Sequence, residues 1–160
     1  MSATDLIRQP SMLLSFRAEN ARSFRDPVEL SLLATPMAES RFVREIAWRE
    51  GGAPLKVLPV AGVFGANGSG KSNALRVLQD LRSFVLNSFR SGDPQGGIES
   101  RRPFRLDPST RSSATRFAID LVLAGVRHEY GCVIDDARVL EEYCCWYPQC
   151  RAAVILDRTE

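Results

Sequence analysis

Eight consecutive residues of this 160-residue chain fit the pattern G-x-x-x-x-G-K-[ST], which is typical of loops that hold phosphate groups. In such a loop the glycines let backbone N–H groups turn towards the phosphates, the lysine reaches the β- and γ-phosphates, and the hydroxyl binds Mg²⁺. Here the last two roles fall to Lys71 and Ser72. The residues that we expect to contact a nucleotide are Gly65, Ala66, Asn67, Gly68, Ser69, Gly70, Lys71, Ser72 and Asn73.

Two elements must position such a loop, and the sequence predicts both. Residues 57–64 form an apolar run that is typical of a buried parallel strand. After the loop, apolar residues recur at intervals of three and four, which predicts a helix over 72–89 with one apolar stripe against a sheet: Leu75, Leu78, Leu81, Val85, Leu86 and Phe89. The loop would then end at a helix N-terminus, whose partial positive charge favours a polyphosphate.

The rest of the chain favours strands. Residues 12–33 predict a ribbon of two antiparallel strands joined by a polar turn, and a short strand is expected around 41–48. Residues 91–108 are rich in Gly, Pro and Ser and predict a surface loop. From 115 to 157 apolar and polar residues alternate, which predicts an antiparallel meander. The expected fold class is therefore α/β, a single P-loop domain over 1–160 with a strand–loop–helix unit at 57–89.

Composition limits the function classes without choosing among them. With 44% hydrophobic and 25% charged residues, and no apolar run near the roughly 20 residues of a membrane span, the sequence predicts a cytoplasmic globular domain without a membrane partner. The net charge is only +2, so charge does not identify a nucleic-acid partner. Two arginine clusters could contact phosphates, although solvated surface is the ordinary interpretation of the first: Arg101, Arg102 and Arg105, and Arg17, Arg22 and Arg25.

The cysteines and the single histidine give no strong sign of a metal site. The spacing of Cys132, Cys144, Cys145 and Cys150 lacks the paired knuckles of zinc sites, so reduced thiols are expected, with a weak metal or redox site as the alternative. His128 has no catalytic partner near it in sequence and is interpreted as structural.

Several segments together resemble a known family. The sequence resembles the N-terminal part of ABC-type ATPases of the RecF/SMC-like group, and it is most similar to bacterial AAA-class proteins related to OLD-family and abortive-infection ATPases. The resemblance lies in residues 14–24, 29–32, 63–73, 103–107, 130–131 and 139–142. It implies that ATP and Mg²⁺ are the cofactors, and that the turn after the first strand contacts the base and phosphates through Asn20, Arg22 and Ser23. Ala21 is a departure, because the family has an aromatic residue there.

Two parts of the complete catalytic site of that family are not found in the sequence. ABC-type ATPases hydrolyse ATP at a composite site, where one subunit brings the loop and a Walker B acidic pair and the other brings a signature loop of the LSGGQ type. Residues 132–136 and 154–157 imitate a Walker B strand, because the first ends in two acids and the second in one, but both lie within the predicted meander. We therefore interpret them as strand ends with charged turns, and no general base is assigned.

These observations predict the N-terminal lobe of a longer ATPase, present as a fragment, a truncated product or one half of a split protein. Such a lobe would bind ATP and hydrolyse it only with its C-terminal lobe and a dimer partner, in DNA transactions or phage defence. The expected partners are a second copy or a complementary C-terminal lobe, with nucleic acid as a further candidate. The alternative is a non-catalytic interaction module. A P-loop kinase or GTPase is less favoured, because repeating strand–helix units and an Asn-Lys-x-Asp sequence are lacking.

Overall fold

The computed structural model describes residues 11–49, 51–87, 98, 101–149 and 151–159, and within them a sheet is the main element. The strands are β1 (Met12–Glu19), β2 (Val28–Ser31), β3 (Arg44–Ile46), β4 (Leu55–Val57), β5 (Thr115–Leu123), β6 (Val126–Ile134), β7 (Val139–Tyr147) and β8 (Ala153–Thr159). The helices are α1 (Lys71–Asn87) and the short α2 (Pro108–Arg111), with one 3-10 turn at Ser40–Phe42. The architecture is mixed α/β with few helices.

Six of the strands form one antiparallel sheet in the order β2-β1-β5-β6-β7-β8. The antiparallel meander expected from the alternating pattern is present as β5 to β8. Ala124 and Gly125 connect β5 to β6 with φ angles of 48° and 77°, and this pair of positive angles is what a tight hairpin turn needs. Between β6 and β7, the Asp135 carboxylate accepts hydrogen bonds from the N–H groups of Ala137 and Arg138, which closes that turn.

The two faces of the sheet are covered by different elements. Helix α1 packs on one face, where its buried side chains meet those of β1, β5 and β6 in a common core: Phe16, Ala18, Val77, Leu81, Phe84, Phe117, Cys132 and Ile134. The two-stranded ribbon of β3 and β4 packs on a second cluster, which contains the fully buried Leu14, Val57 and Val122 with Trp48 beside them. The long sheet and α1 are therefore held together mainly by burial of apolar surface.

The helix meets the sheet with a face that only partly matches the predicted stripe. The buried residues of α1 are Val77, Asp80, Leu81 and Phe84. Of the predicted stripe, Leu81 is buried and Leu78 packs against the core, as expected. Leu75, Val85 and Leu86 are 61%, 51% and 55% exposed, and Phe89 lies outside the described residues. The prediction was wrong for these three exposed residues because α1 carries two apolar stripes that share Leu81, and Val77, Leu81 and Phe84 have the spacing i, i+4, i+7.

The predicted parallel strand over 57–64 is not observed. Only Leu55–Val57 is a strand, paired antiparallel with β3, and the segment from Leu58 to the loop has no regular structure. Val60 and Phe64 are 79% and 93% exposed. An apolar run becomes a strand only beside another strand, and no described strand lies parallel to this run. The apolar character was detected in the sequence, but the neighbour that it requires was not.

Replacement of a leucine on each face of α1 tests this orientation. We expect Leu81→Ala to lower the free energy of unfolding by about 2–5 kcal/mol, because Leu81 is 2% exposed and its removal leaves a cavity. Leu86→Ala, the matched control at a position 55% exposed, should lower it by less than about 1 kcal/mol. Urea unfolding of both variants measures the difference. Equal losses would contradict the orientation of the helix.

Candidate functional site

The glycine-rich loop folds into a compact curl at the start of α1. The N–H of Ser69 donates to the carbonyl of Ala66 at 3.2 Å, and the Gly70 carbonyl accepts from Asn73 at 2.8 Å and Ala74 at 3.1 Å. Gly68 and Gly70 have φ angles of 81° and 89°, a conformation that side-chain-bearing residues rarely adopt. The curl encloses a cavity of about 310 Å³ that is lined by Asn67, Gly68, Ser69, Gly70, Lys71, Ser72 and Asn73.

Lys71 is the cation of this cavity. Its Nζ donates to the carbonyl oxygens of Gly65 and Ala66, each at 2.6 Å, so the ammonium group lies over its own loop. Carbonyls are neutral acceptors, and a charged phosphate oxygen would be the stronger partner for this group. Next to it, Ser72 is exposed and its hydroxyl is in the first turn of α1, where backbone N–H groups have no partner within the helix.

The turn after β1 lies directly against the loop. A Cβ atom added to Gly70 would lie 2.8 Å from the hydroxyl oxygen of Ser23, which is closer than real Cβ contacts. Gly70 is therefore required both for its positive φ and for the close approach of Ser23. The structure thus brings Ser23, which the resemblance indicated, to the phosphate loop.

Arg22 connects the same turn to the middle of α1. Its Nε and one Nη atom donate to the two carboxylate oxygens of Asp80 at 2.5 and 2.7 Å, which makes a paired, fork-like contact. The hydrogen bond to Asp80 raises the pKa of Arg22, although burial acts in the opposite direction. Arg22 also has a φ of 53°, and its N–H donates to the carbonyl of Arg102 at 2.6 Å. The Arg22 guanidinium lines the site, but it is already paired with the Asp80 carboxylate.

Asn20, the third residue of the turn that the resemblance indicated, has a structural position. The side chain is buried, and its amide nitrogen donates to the carbonyls of Thr110 at 2.7 Å, Ser113 at 2.7 Å and Ala114 at 3.2 Å. Its amide oxygen accepts from the N–H of Phe104 at 3.0 Å. These bonds use both ends of the amide. Asn20 therefore fixes the segment around Phe104 relative to the turn.

A second cavity of about 520 Å³ adjoins the loop cavity. One wall is the turn and the loop, and the other is the segment 102–106, so the lining residues are Arg22, Ser23, Gly68, Ser69, Asn73, Arg102, Pro103, Phe104, Arg105 and Leu106. The two cavities share Gly68, Ser69 and Asn73 and form one groove. Arg102 and Arg105, of the arginine cluster that the sequence offered as a possible phosphate contact, lie on this wall. Phe104 and Leu106 were not expected there, because a proline-containing loop has no periodic signal that would place them.

The acidic residues at the strand ends have other partners. Hydrogen bonds from Ala137 and Arg138 to Asp135 lower the pKa of Asp135, in keeping with its place in the turn. Asp136 pairs with Arg101, whose side chain is 1% exposed, so the interpretation of Arg101 as solvated surface was wrong. Asp157 lies on β8 opposite Tyr143 and is exposed. None of these three acids lines either part of the groove.

The thiols and the histidine lie away from the groove. Cys132, Cys144 and Cys145 are free, and Cys150 is outside the described residues. Within the part of the chain that the structure describes, no group of three His, Cys, Asp or Glu side chains could hold a metal ion. Nδ1 of His128 lies 2.9 Å from the carbonyl oxygen of Val126, and its ring lies 6.4 Å from that of Trp146. Neither the histidine nor any of the three described cysteines lines the groove.

A family model matches residues 60–147, more than half of the chain, and its description reads "AAA domain, putative AbiEii toxin, Type IV TA system". The chain belongs to this family. The match includes the phosphate loop, α1 and three strands of the meander, and it identifies an AAA domain of the P-loop NTPase type. No curated protein and no solved structure matches the chain. No helix of the AAA domain in the described ranges is long and apolar enough to span a membrane.

The pair of Arg22 and Asp80 predicts a measurable loss of stability. Asp80→Ala should lower the free energy of unfolding by about 2 kcal/mol, because it leaves a partly buried guanidinium without its carboxylate. Glu39→Ala is the matched control: it breaks a pair whose side chains are 71% and 64% exposed, and we expect a change within about 0.5 kcal/mol. Chemical unfolding of the two variants gives the comparison. If Glu39→Ala lowers the free energy of unfolding as much as Asp80→Ala does, a special contribution of the pair of Arg22 and Asp80 to stability is contradicted.

Cys132 predicts a dependence of stability on alkaline pH. Burial raises the pKa of the Cys132 thiol from its ordinary 9.0 to about 12. Between these values the thiol ionises in the unfolded chain and stays protonated in the folded one, so its contribution to stability is complete below pH 9 and is lost as the pH rises towards 12. Urea unfolding at pH 8, 9 and 10 should therefore show a smaller decline in Cys132→Ala than in the wild type. The same decline in both proteins would disprove this origin.

Proposed function

We propose that this AAA domain binds ATP with Mg²⁺ in the groove formed by the loop and the turn after β1. The observation that carries the proposal is the curled loop at the N-terminus of α1, with Lys71 held over it. Backbone N–H groups of the loop other than those of Ser69 and Asn73, which donate within the curl, would hold the phosphates. The Lys71 ammonium would bind the β- and γ-phosphates in place of two carbonyls. The Ser72 hydroxyl would be a magnesium ligand, and the bound ion would neutralise charge on the phosphates.

The residues of the turn have different roles in this proposal. Ser23 is the one whose hydroxyl reaches the loop, at Gly70, and it is placed to contact a phosphate. Arg22 and Asn20 act as positioning residues, because the first is paired with Asp80 and the second is hydrogen-bonded to four backbone groups. The positive charge of Arg22 at the groove is largely neutralised by the carboxylate of Asp80.

Hydrolysis requires groups that the described residues do not bring to the groove. A carboxylate must orient the attacking water, and further donors must stabilise the charge that develops on the transferred phosphoryl group. No Asp or Glu is among the described residues that line the two cavities, and Asp80, the partner of the lining residue Arg22, is bound to it. We propose that a complementary C-terminal lobe supplies the carboxylates and that a second copy of the ATPase completes the site.

Exposed apolar surface supports a complementary lobe. The second stripe of α1 and the neighbouring strands line an apolar groove of about 910 Å³, in which Leu75, Val85, Leu86 and Leu123 are at least half exposed. The chain just before the phosphate loop is exposed as well, at Val60 and Phe64. The apolar segment before the loop lacks a neighbouring strand among the described residues, and the second stripe of α1 is exposed. Both features favour an additional sheet that would lie beside the loop.

The biological setting belongs to the same proposal. The family description refers to an AbiEii toxin of a type IV toxin–antitoxin system, which supports a role of the complete ATPase in phage defence. A nucleic-acid partner is compatible with the arginines near the groove, since Arg105 and Arg111 are exposed. A non-catalytic interaction module is the competing function, and it would use the apolar groove without ATP.

Lys71→Ala tests the proposal. The wild-type chain should bind Mg-ATP without turnover, and Lys71→Ala should weaken binding at least about tenfold, because a charge-assisted hydrogen bond to the phosphates is removed. Isothermal titration calorimetry measures the affinity, and phosphate release measures turnover. The control is Lys56→Ala, which removes the only other lysine, an exposed residue on β4. It should leave the affinity unchanged.

Two results would contradict this account. Absence of Mg-ATP binding by the wild-type chain, or equal binding by Lys71→Ala, would favour the interaction module. Turnover that Lys71→Ala abolishes would mean that the chain contains its own catalytic carboxylate, and Asp135, Asp136 and Asp157 would then be the residues to replace.

A further inference from the structure

We infer that the base of the bound nucleotide packs against Phe104 and Leu106, in the second cavity of the groove. This inference rests on the proposed function, because it takes the phosphates to lie in the loop cavity. It assigns a ligand contact to the wall formed by residues 102–106, which lies outside the loop motif and outside the turn after β1.

The continuity of the two cavities decides the direction in which a nucleotide extends. Gly68, Ser69 and Asn73 line both cavities, so a molecule whose phosphates occupy the loop cavity has its nucleoside at the entrance of the larger one. The larger cavity measures about 520 Å³, within the range of pockets that hold small organic ligands. The loop cavity alone, at about 310 Å³, is lined entirely by the loop and the first residues of α1.

The chemistry of the wall suits a flat aromatic ring. Phe104 is partly buried and Leu106 is 89% exposed, so the wall offers apolar surface that is in water until a ligand covers it. The cationic groups of the turn do not compete for this role, because Arg22 is paired with Asp80. Ala21 is 1% exposed within the core and does not reach a ligand. Arg102 and Arg105 also line this cavity, so the base would stack on Phe104 and Leu106 beside two cationic side chains.

The wall is held firmly, which makes it a preorganised surface. The Phe104 N–H donates to Asn20 at 3.0 Å, and the Phe104 carbonyl accepts from the hydroxyl of Thr110 at 2.8 Å. Where the wall begins, the Arg102 carbonyl accepts a hydrogen bond from the N–H of Arg22 at 2.6 Å. The base therefore meets a wall that does not have to be ordered on binding, which reduces the entropy lost when the complex forms.

A comparison of ATP with inorganic tripolyphosphate, both with Mg²⁺, isolates the contribution of the base. Wild-type protein should bind ATP more tightly than tripolyphosphate. Phe104→Ser should weaken ATP binding by roughly 5- to 150-fold, the range for loss of a base stacked on an aromatic ring, while tripolyphosphate binding stays the same. Leu106→Ser should weaken ATP binding by at least about threefold through lost apolar contact, again without a change for tripolyphosphate. Met37→Ser is the control, since Met37 is 92% exposed and lies outside the groove. Calorimetric titration gives the affinities.

The outcomes separate this inference from the proposed function. If Leu106→Ser, at a surface position that the fold does not depend on, keeps the full preference for ATP over tripolyphosphate, the base lies elsewhere and the inference is wrong. If the variants lose affinity for both ligands equally, the wall acts on the phosphates and the inference is again wrong. If the wild type binds neither ligand, the proposed function itself fails.

Discussion

The amide of Asn20 is the contact on which the groove depends. It joins four backbone groups from three parts of the segment 104–114 to the end of β1, in a buried position where an unpaired amide would be unfavourable. Asn20 itself has a φ of 50°, which is uncommon for a residue other than glycine, and the Thr115 hydroxyl donates to its carbonyl at 2.8 Å. With Asn20 held in this way, Ser23 lies against the loop at Gly70 and Phe104 lies on the opposite wall of the groove.

A second connection fixes the loop through α1. The helix begins at Lys71, packs on the sheet through Val77, Leu81 and Phe84, and is tied by Asp80 to Arg22. Because the loop ends where the helix begins, the position of the helix on the sheet sets the position of the loop. The adjoining stripe of the same helix, at Leu75, Val85 and Leu86, is at least half exposed among the described residues, so one element both carries the loop and presents apolar surface.

The sequence was sufficient for the parts that have a local signal. Alternation predicted the meander, and the loop motif predicted a turn that leads into a helix. Contacts between distant segments gave no such signal. The buried face of α1 could not be chosen from the sequence, because two apolar stripes compete. Most of the run 57–64 is not a strand, because an apolar run needs a neighbouring strand to pair with. Arg101 is buried where it pairs with Asp136, which is 35 positions away in the sequence. The wall at Phe104 and Leu106 likewise depends on the Asn20 amide, which acts across 84 positions.

In the proposed complex, Lys71 exchanges its loop carbonyls for phosphate oxygens. The most direct test is an experimental structure of the chain with Mg²⁺ and a non-hydrolysable ATP analogue. We predict that Nζ of Lys71 leaves the carbonyls of Gly65 and Ala66 and lies within hydrogen-bond distance of the β- and γ-phosphates, with Ser72 bound to the ion. An analogue bound elsewhere, with Lys71 still on the two carbonyls at 2.6 Å, would contradict the account.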